Sequence, residues 1–289
     1  MVLARRTLLL GGALGLVGCT GSPTIDVDPS ATPHVQVDEE PQQHPTLASA
    51  AALVGGLRAQ LEAAAPGAWR DAALAQCDAQ LARFNSPAPL GEPEPIFSPE
   101  AGRFSDLPTA VTDTVSGLVA CADEAPHVAE RVLFLSAAAA TSGLADTESM
   151  PGEGAEPTFF ETLESQWPVA LGHTWALVYG LETALGRARP DDGLRDSLRA
   201  RLTSAKSLRN HLREHIDGVA PSQPASFALP TAMSTPEEVA SGWAELEVRL
   251  LEGLVLLAAD DGGASDLWRP QVVQAQAAGG RIPRWPGWD

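Results

Sequence analysis

Lysine and tyrosine are almost missing from this chain: Lys206 and Tyr179 are the sole examples among 289 residues. Bases of any kind are scarce, 19 against 37 acids, for a formal charge of −18. Such a surface repels phosphate backbones, which excludes nucleic acid as a partner, and has no electrostatic hold on anionic lipid headgroups. Long apolar runs are absent too. The run Leu8–Val17 falls well short of the roughly 20 residues that cross a bilayer as a helix. No Gly-x-Ser-x-Gly elbow, Walker loop, Cys-x-x-Cys or His-Glu-x-x-His occurs, so no motif argues for an enzyme and no cofactor is expected. Acidity without such motifs serves solubility.

What is present begins at the N-terminus. Arg5 and Arg6 precede the apolar run Leu8–Val17, and Gly18-Cys19 follows it. A short basic region before an apolar stretch of this length is a secretory signal. Leu16-Val17-Gly18-Cys19 resembles the bacterial lipobox, in which the cysteine thiol is diacylated and the peptide bond before it is cut. A small residue must precede the cut, and a thiolate is the side chain that accepts the lipid. Arg5-Arg6-Thr7-Leu8-Leu9 resembles a twin-arginine export signal, the general secretory route being the alternative. Residues 1–18 are therefore expected to be removed. Cys19 is expected to carry lipid and to hold the chain on the extracytoplasmic face of the cell membrane. Loss of Arg5 and Arg6 leaves 17 of the 19 bases against 37 acids, a formal charge of −20. Residues 19–45, with Asp26, Asp28, Asp38, Glu39, Glu40, several prolines and no base, read as a disordered acidic tether.

From residue 46 onward the chain reads as helix throughout, with no convincing strand. Leu47, Ala50, Val54, Leu57 and Leu61 recur at helical spacing up to Pro66-Gly67. Trp69, Ala73, Cys77, Leu81 and Phe84 make the apolar face of a second helix. The proline-rich stretch 87–99 is a loop. Ser105 is a candidate cap for a third helix bearing Leu107, Val111, Leu118 and Cys121, and Pro126 starts a fourth. With Cys19 acylated, Cys77 and Cys121 are left as a pair on apolar helical stripes. A disulfide between them is expected, which would stabilise the fold by ~4 kcal/mol on the chain-entropy estimate. Two buried, inert thiols are the alternative. Residues 46–145 are expected to form an N-terminal helical domain, and the acidic, glycine-containing stretch 146–157 a boundary. Beyond it, residues 159–187 read as one long helix kinked at Pro168, and residues 194–216 as the next. Thr235-Pro236-Glu237-Glu238 is a capping box with proline in the first turn, starting a helix to about residue 259. A shorter helix over 266–278 precedes a tail, Trp285-Pro-Gly-Trp288, that cannot be helical. Trp243, Trp268, Trp285 and Trp288 are expected to seal the end of a bundle, a partner-binding face being the alternative.

Several stretches of the second half resemble a known family. Ala170-Leu-Gly-His173-Thr-Trp-Ala-Leu-Val-Tyr179-Gly is similar to its first bundle helix, and His211-Leu-Arg213 to the second. Pro224-Ala-Ser-Phe227-Ala-Leu229-Pro230 is similar to its long crossover, with Phe227 in place of tyrosine. Leu246-Glu247 sits where the third helix carries a Leu-Glu pair. On these residues the chain resembles the ferritin-like domain of unknown function found in exported proteins of actinobacteria. The resemblance implies that residues 157–289 form a four-helix bundle with one long crossover. It departs from the pattern at Thr174 and Trp175, where the family often reads Glu-His.

His211 and His215 lie four apart with Glu214 beside them, a pair that can hold zinc or copper when a third ligand comes from elsewhere. Among Arg209, Asn210 and Arg213, a solvated polar face is the expected reading. Glu182 on the first bundle helix is a further weak metal candidate, for which an ion pair with Arg199 or Arg201 is the plainer role. A di-metal site takes two glutamates and two Glu-x-x-His motifs, and no Glu-x-x-His is found in the second bundle helix or the last. The core is expected to be filled by Leu177, Leu181, Leu202, Leu250 and Leu254. The function expected is that of a non-enzymatic envelope scaffold or binding protein for another protein or an apolar ligand. A metal-dependent ferritin-like enzyme and a structural envelope spacer are the alternatives.

Overall fold

A computed structural model of the chain describes residues 41–188 and 193–288. The leader, Cys19 and the acidic tether up to residue 40 lie outside the described residues. Eight α-helices and one short 3-10 turn make up the regular structure, with no strand among the described residues. All described residues belong to one compact unit, Pro41–Asp289. The end of the expected tether is held: Gln43 donates from Nε2 to the Phe84 carbonyl at 2.9 Å.

Helix α1 (Pro45–Ala63) opens with proline in its first turn and buries the stripe Leu47, Ala50, Val54, Leu57 and Leu61. Pro66 and Gly67 part it from α2 (Ala68–Phe84), which buries Ala73, Cys77, Gln80 and Phe84. The proline-rich loop then crosses back over α1. Gly102 N donates to the Ala52 carbonyl at 2.7 Å, and Gln60 Nε2 to that of Phe104 at 2.9 Å. Gly56 permits this approach, since a Cβ there would lie 2.5 Å from the Gly102 oxygen.

Helix α3 (Leu107–Glu124) is capped by Asp106, not by the expected Ser105. The Asp106 carboxylate accepts from Thr109 N at 2.8 Å, and the Ser105 hydroxyl donates to its other oxygen. The charged side chain takes the cap because it stands one residue nearer the free N–H groups. Helix α4 (Val128–Gly143) is buried on nearly every side, from Val132 through Thr141, as an alanine-rich helix hydrophobic all round should be. It packs on α3 and also on α7 and α8. The buried residues of 46–145 and of 157–289 consequently belong to one cluster, and 146–157 is the surface connection between α4 and α5.

Helix α5 (Trp167–Arg187) places Pro168 in its first turn, where a missing N–H costs nothing. The long helix from residue 159 kinked at Pro168 is not formed. The reason lies in α7, whose C-terminal acids receive the start of α5: Asp260 accepts from Gln166 N at 2.9 Å and Asp261 from Trp167 Nε1 at 3.1 Å. Helix α6 (Arg195–Glu214) packs back on α5. Residues 215–235 then cross to α7 (Pro236–Asp260), whose Thr235 hydroxyl accepts from Glu238 N at 3.2 Å. In return the Glu238 carboxylate accepts from Ser234 N at 2.7 Å, one residue before the position the box predicts. On the way Phe227 meets Tyr179 with ring centroids 5.8 Å apart. Leu229 and Met233 lie over Gly180 of α5.

A 3-10 turn (Gly262–Ala264) leads to α8 (Trp268–Ala277). Gly279, at φ +85, ends α8, and the Gly280 N–H closes on the Ala275 carbonyl at 2.8 Å. This left-handed exit needs glycine. The tail then runs back to the first helices: Ile282 packs on Gly143, and Trp285 meets Phe84 edge-on at 6.4 Å. Trp268 and Trp285 are fully buried and Trp243 nearly so, while Trp288 packs on Phe160.

Candidate functional site

The centre of the α5–α8 half holds a buried polar cluster. Arg201 of α6 donates from Nε to Glu247 Oε1 at 2.7 Å and from Nη2 to Oε2 at 2.8 Å, a two-pronged pair with α7. Trp243 Nε1 donates to Oε1 at 2.6 Å, one helical turn away. Gln271 of α8 donates to Oε2 at 2.7 Å and to the Glu247 carbonyl at 2.9 Å, while its own oxygen accepts from Arg201 at 2.9 Å. Glu247 is 0 % exposed and Arg201 6 %. Each carboxylate oxygen thus takes two donors, and the one negative charge is matched by one guanidinium. A buried pair is tolerated when its geometry and remaining hydrogen bonds are satisfied in this way. Chemically, the arrangement leaves Glu247 no lone pair for a metal ion.

The sequence carried a signal for this cluster that motif reasoning passes over. Arg201 sits within the apolar stripe Leu198, Ala205, Leu212 of α6, and Glu247 within Trp243, Leu246, Leu250, Leu254 of α7. A charge at a core position on two helices of one bundle requires a partner. Leu177, Leu181, Leu250 and Leu254 are fully buried as expected, whereas Leu202 is half-buried.

The other expected residues stand apart from this centre. Glu182 is exposed and pairs with Lys206 at 2.7 Å, not with Arg199 or Arg201. His211 and His215 are exposed near the C-terminal end of α6. Their rings lie 4.3 Å apart, and His215 stacks on Trp167 at 4.8 Å and 9°. His215 Nδ1 donates to the His211 carbonyl at 2.9 Å, which leaves only Nε2 of that ring open. No group of three His, Cys, Asp or Glu side chains placed to hold a metal occurs among the described residues. His173 lies against Gly253 of α7. Burial, and then the nearby Arg249 charge, lower its pKa. Cys19 lies outside the described residues.

Cys77 and Cys121 are separate, buried thiols, and the expected disulfide is not formed. Helix α1 packs against both α2 and α3 and so takes up the space across which the sulfurs would have to meet. The Cys121 thiol instead donates to the Thr46 carbonyl at 3.6 Å. Burial pushes the Cys77 thiol up to about 12 and the Cys121 thiol to about 11. At pH 8 fewer than about one thiol in a thousand is then the reactive thiolate. Both cysteines should resist iodoacetamide in the folded protein for hours and react within minutes in denaturant without reductant. A linked Cys77–Cys121 peptide in unreduced material would contradict this.

At the far end of the bundle, a cavity of about 390 Å³ opens between the end of α5, the start of α6 and the end of the crossover. Leu194, Leu198, Met233 and Val239 give it apolar walls, with Arg187 and Thr235 among its polar groups. Met233 adopts φ +53, a conformation that costs a non-glycine residue energy, with its side chain lying over Gly242. The cavity has the size of a small-ligand pocket. No helix among the described residues is long and apolar enough to cross a membrane. Comparison of the chain with protein-family models, curated proteins and solved structures found no match.

Proposed function

We propose that this chain is a lipid-anchored cell-envelope protein whose ferritin-like bundle acts by binding, not by catalysis. In this reading the Cys19 lipid holds it on the extracytoplasmic face, and the bundle-end cavity takes an apolar ligand or an apolar segment of an envelope partner. The observation that carries the non-catalytic part is Glu247: it is a fully buried carboxylate at the bundle centre, and Arg201, Trp243 and Gln271 occupy its oxygens. The order of elements supports the ferritin-like assignment. Helices α5 and α6 pack as one pair and α7 and α8 as another, joined by the long 215–235 crossover whose Phe227, Leu229 and Met233 rest on α5.

A neutral apolar fluorophore, N-phenyl-1-naphthylamine, tests the binding role. The full chain should take up one equivalent with a Kd on the order of micromolar. Leu194→Arg, a half-buried wall residue, should weaken uptake at least about tenfold by placing a charge in the cavity. No saturable uptake by the unaltered chain would overturn the ligand-binding reading.

A further inference from the structure

A second cavity, of about 400 Å³, lies between α2 and the C-terminal tail. Helix α2 contributes Ala72 and Ala75, the segment after α4 contributes Met150, Pro151 and Glu153, and the tail contributes Arg281 and Arg284. Two arginines side by side are unusual on a chain with 19 bases and 37 acids, and here neither is held in a close ion pair. Arg281 makes no hydrogen bond or ion pair among the described residues. Arg284 has a buried Nε without an acceptor, and its Nη1 reaches Glu156 only at 3.7 Å.

Glu156 is committed elsewhere: its Oε2 accepts from Arg83 Nη2 at 2.9 Å and Nε at 3.2 Å. Two guanidinium groups without a close counter-ion favour an anion between them. Counting Arg83, Arg281 and Arg284 against Glu153 and Glu156, the surroundings carry one net positive charge. The remaining walls are alanine, methionine and proline.

We propose that this cavity binds a small monocarboxylate with a short apolar body, its oxygens on Arg281 and Arg284 and its body against Ala72, Ala75, Met150 and Pro151. Guanidinium groups recognise a carboxylate through paired N–H donors. A single net charge suits a monoanion, and Glu153 repels anions of higher charge. The site is distinct from the bundle-end cavity and stands whether or not that cavity binds anything.

Calorimetric titration of the full chain with sodium hexanoate tests it. One site should appear, with a Kd on the order of 10–1,000 µM, and hexylamine should give no binding heat. Arg281→Gln alters an exposed side chain and should weaken hexanoate at least about tenfold through loss of a charged donor. Glu153→Gln, which only removes a repelling charge, should tighten it by about two- to fivefold. Leu194→Arg should leave it unchanged. No heat up to 10-millimolar-order hexanoate, equal affinity in Arg281→Gln, or inorganic phosphate binding as tightly as hexanoate would overturn the proposal.

Discussion

Replacing Arg201 by methionine should cost about 3–5 kcal/mol of stability, the toll of leaving a buried carboxylate without its counter-charge. Glu247 is 0 % exposed, so water cannot replace the two bonds that Arg201 supplies. Trp243 and Gln271 would still donate, but neither carries charge. For a unit of this size the loss lowers Tm by on the order of 10 °C. Methionine follows the aliphatic part of arginine closely, so packing contributes little to the effect. The companion experiment separates charge from shape. Arg201→Met with Glu247→Met removes both ions, and most of the lost stability should return because a buried pair replaced by well-packed apolar groups is close to neutral. Thermal unfolding of the two single variants and the double variant supplies the comparison. Additive losses would show that the two residues do not act as a pair.

The second large effect concerns the anchor. Cys19→Ala should move essentially all of the protein from the membrane fraction to the soluble extracytoplasmic fraction. No described helix is long and apolar enough to cross a bilayer, and a formal charge of −18 opposes docking on anionic headgroups. In the proposed reading, lipid on Cys19 is the anchor. Fractionation with immunodetection reads the outcome, and a Cys19→Ala protein that stays with membranes would remove the anchor from the account.

Helix content was legible because each helix writes its own apolar stripe. The Leu47–Leu61 repeat and the Thr235 cap name α1 and α7 almost to the residue, since both signals are local. The errors arose where a distant segment decides. Pro168 reads as a kink if the helix continues upstream, and it becomes a first-turn proline only because Asp260 and Asp261 hold Gln166 and Trp167 from 94 positions away. Cys77 and Cys121 each lie on a stripe facing the core, yet a stripe does not reveal that α1 packs against both of their helices. Arg201 and Glu247 are 46 positions apart, and on so acidic a chain each resembles a surface charge until the stripes are read as one bundle. The α2–tail cavity was invisible in sequence, because it needs the chain's last residues to return to its second helix.

Elemental analysis of the protein purified from native membranes without added metal tests the structural reading of the bundle centre most directly. That centre offers one carboxylate, already matched by a guanidinium, and a divalent ion there would sit beside the Arg201 charge without a free lone pair to bind. Iron, manganese and zinc should each fall well below one per chain, on the order of a tenth or less, as an inert site would give. One or two metal ions per chain, lost on Glu247→Ala in a protein that still folds, would contradict it.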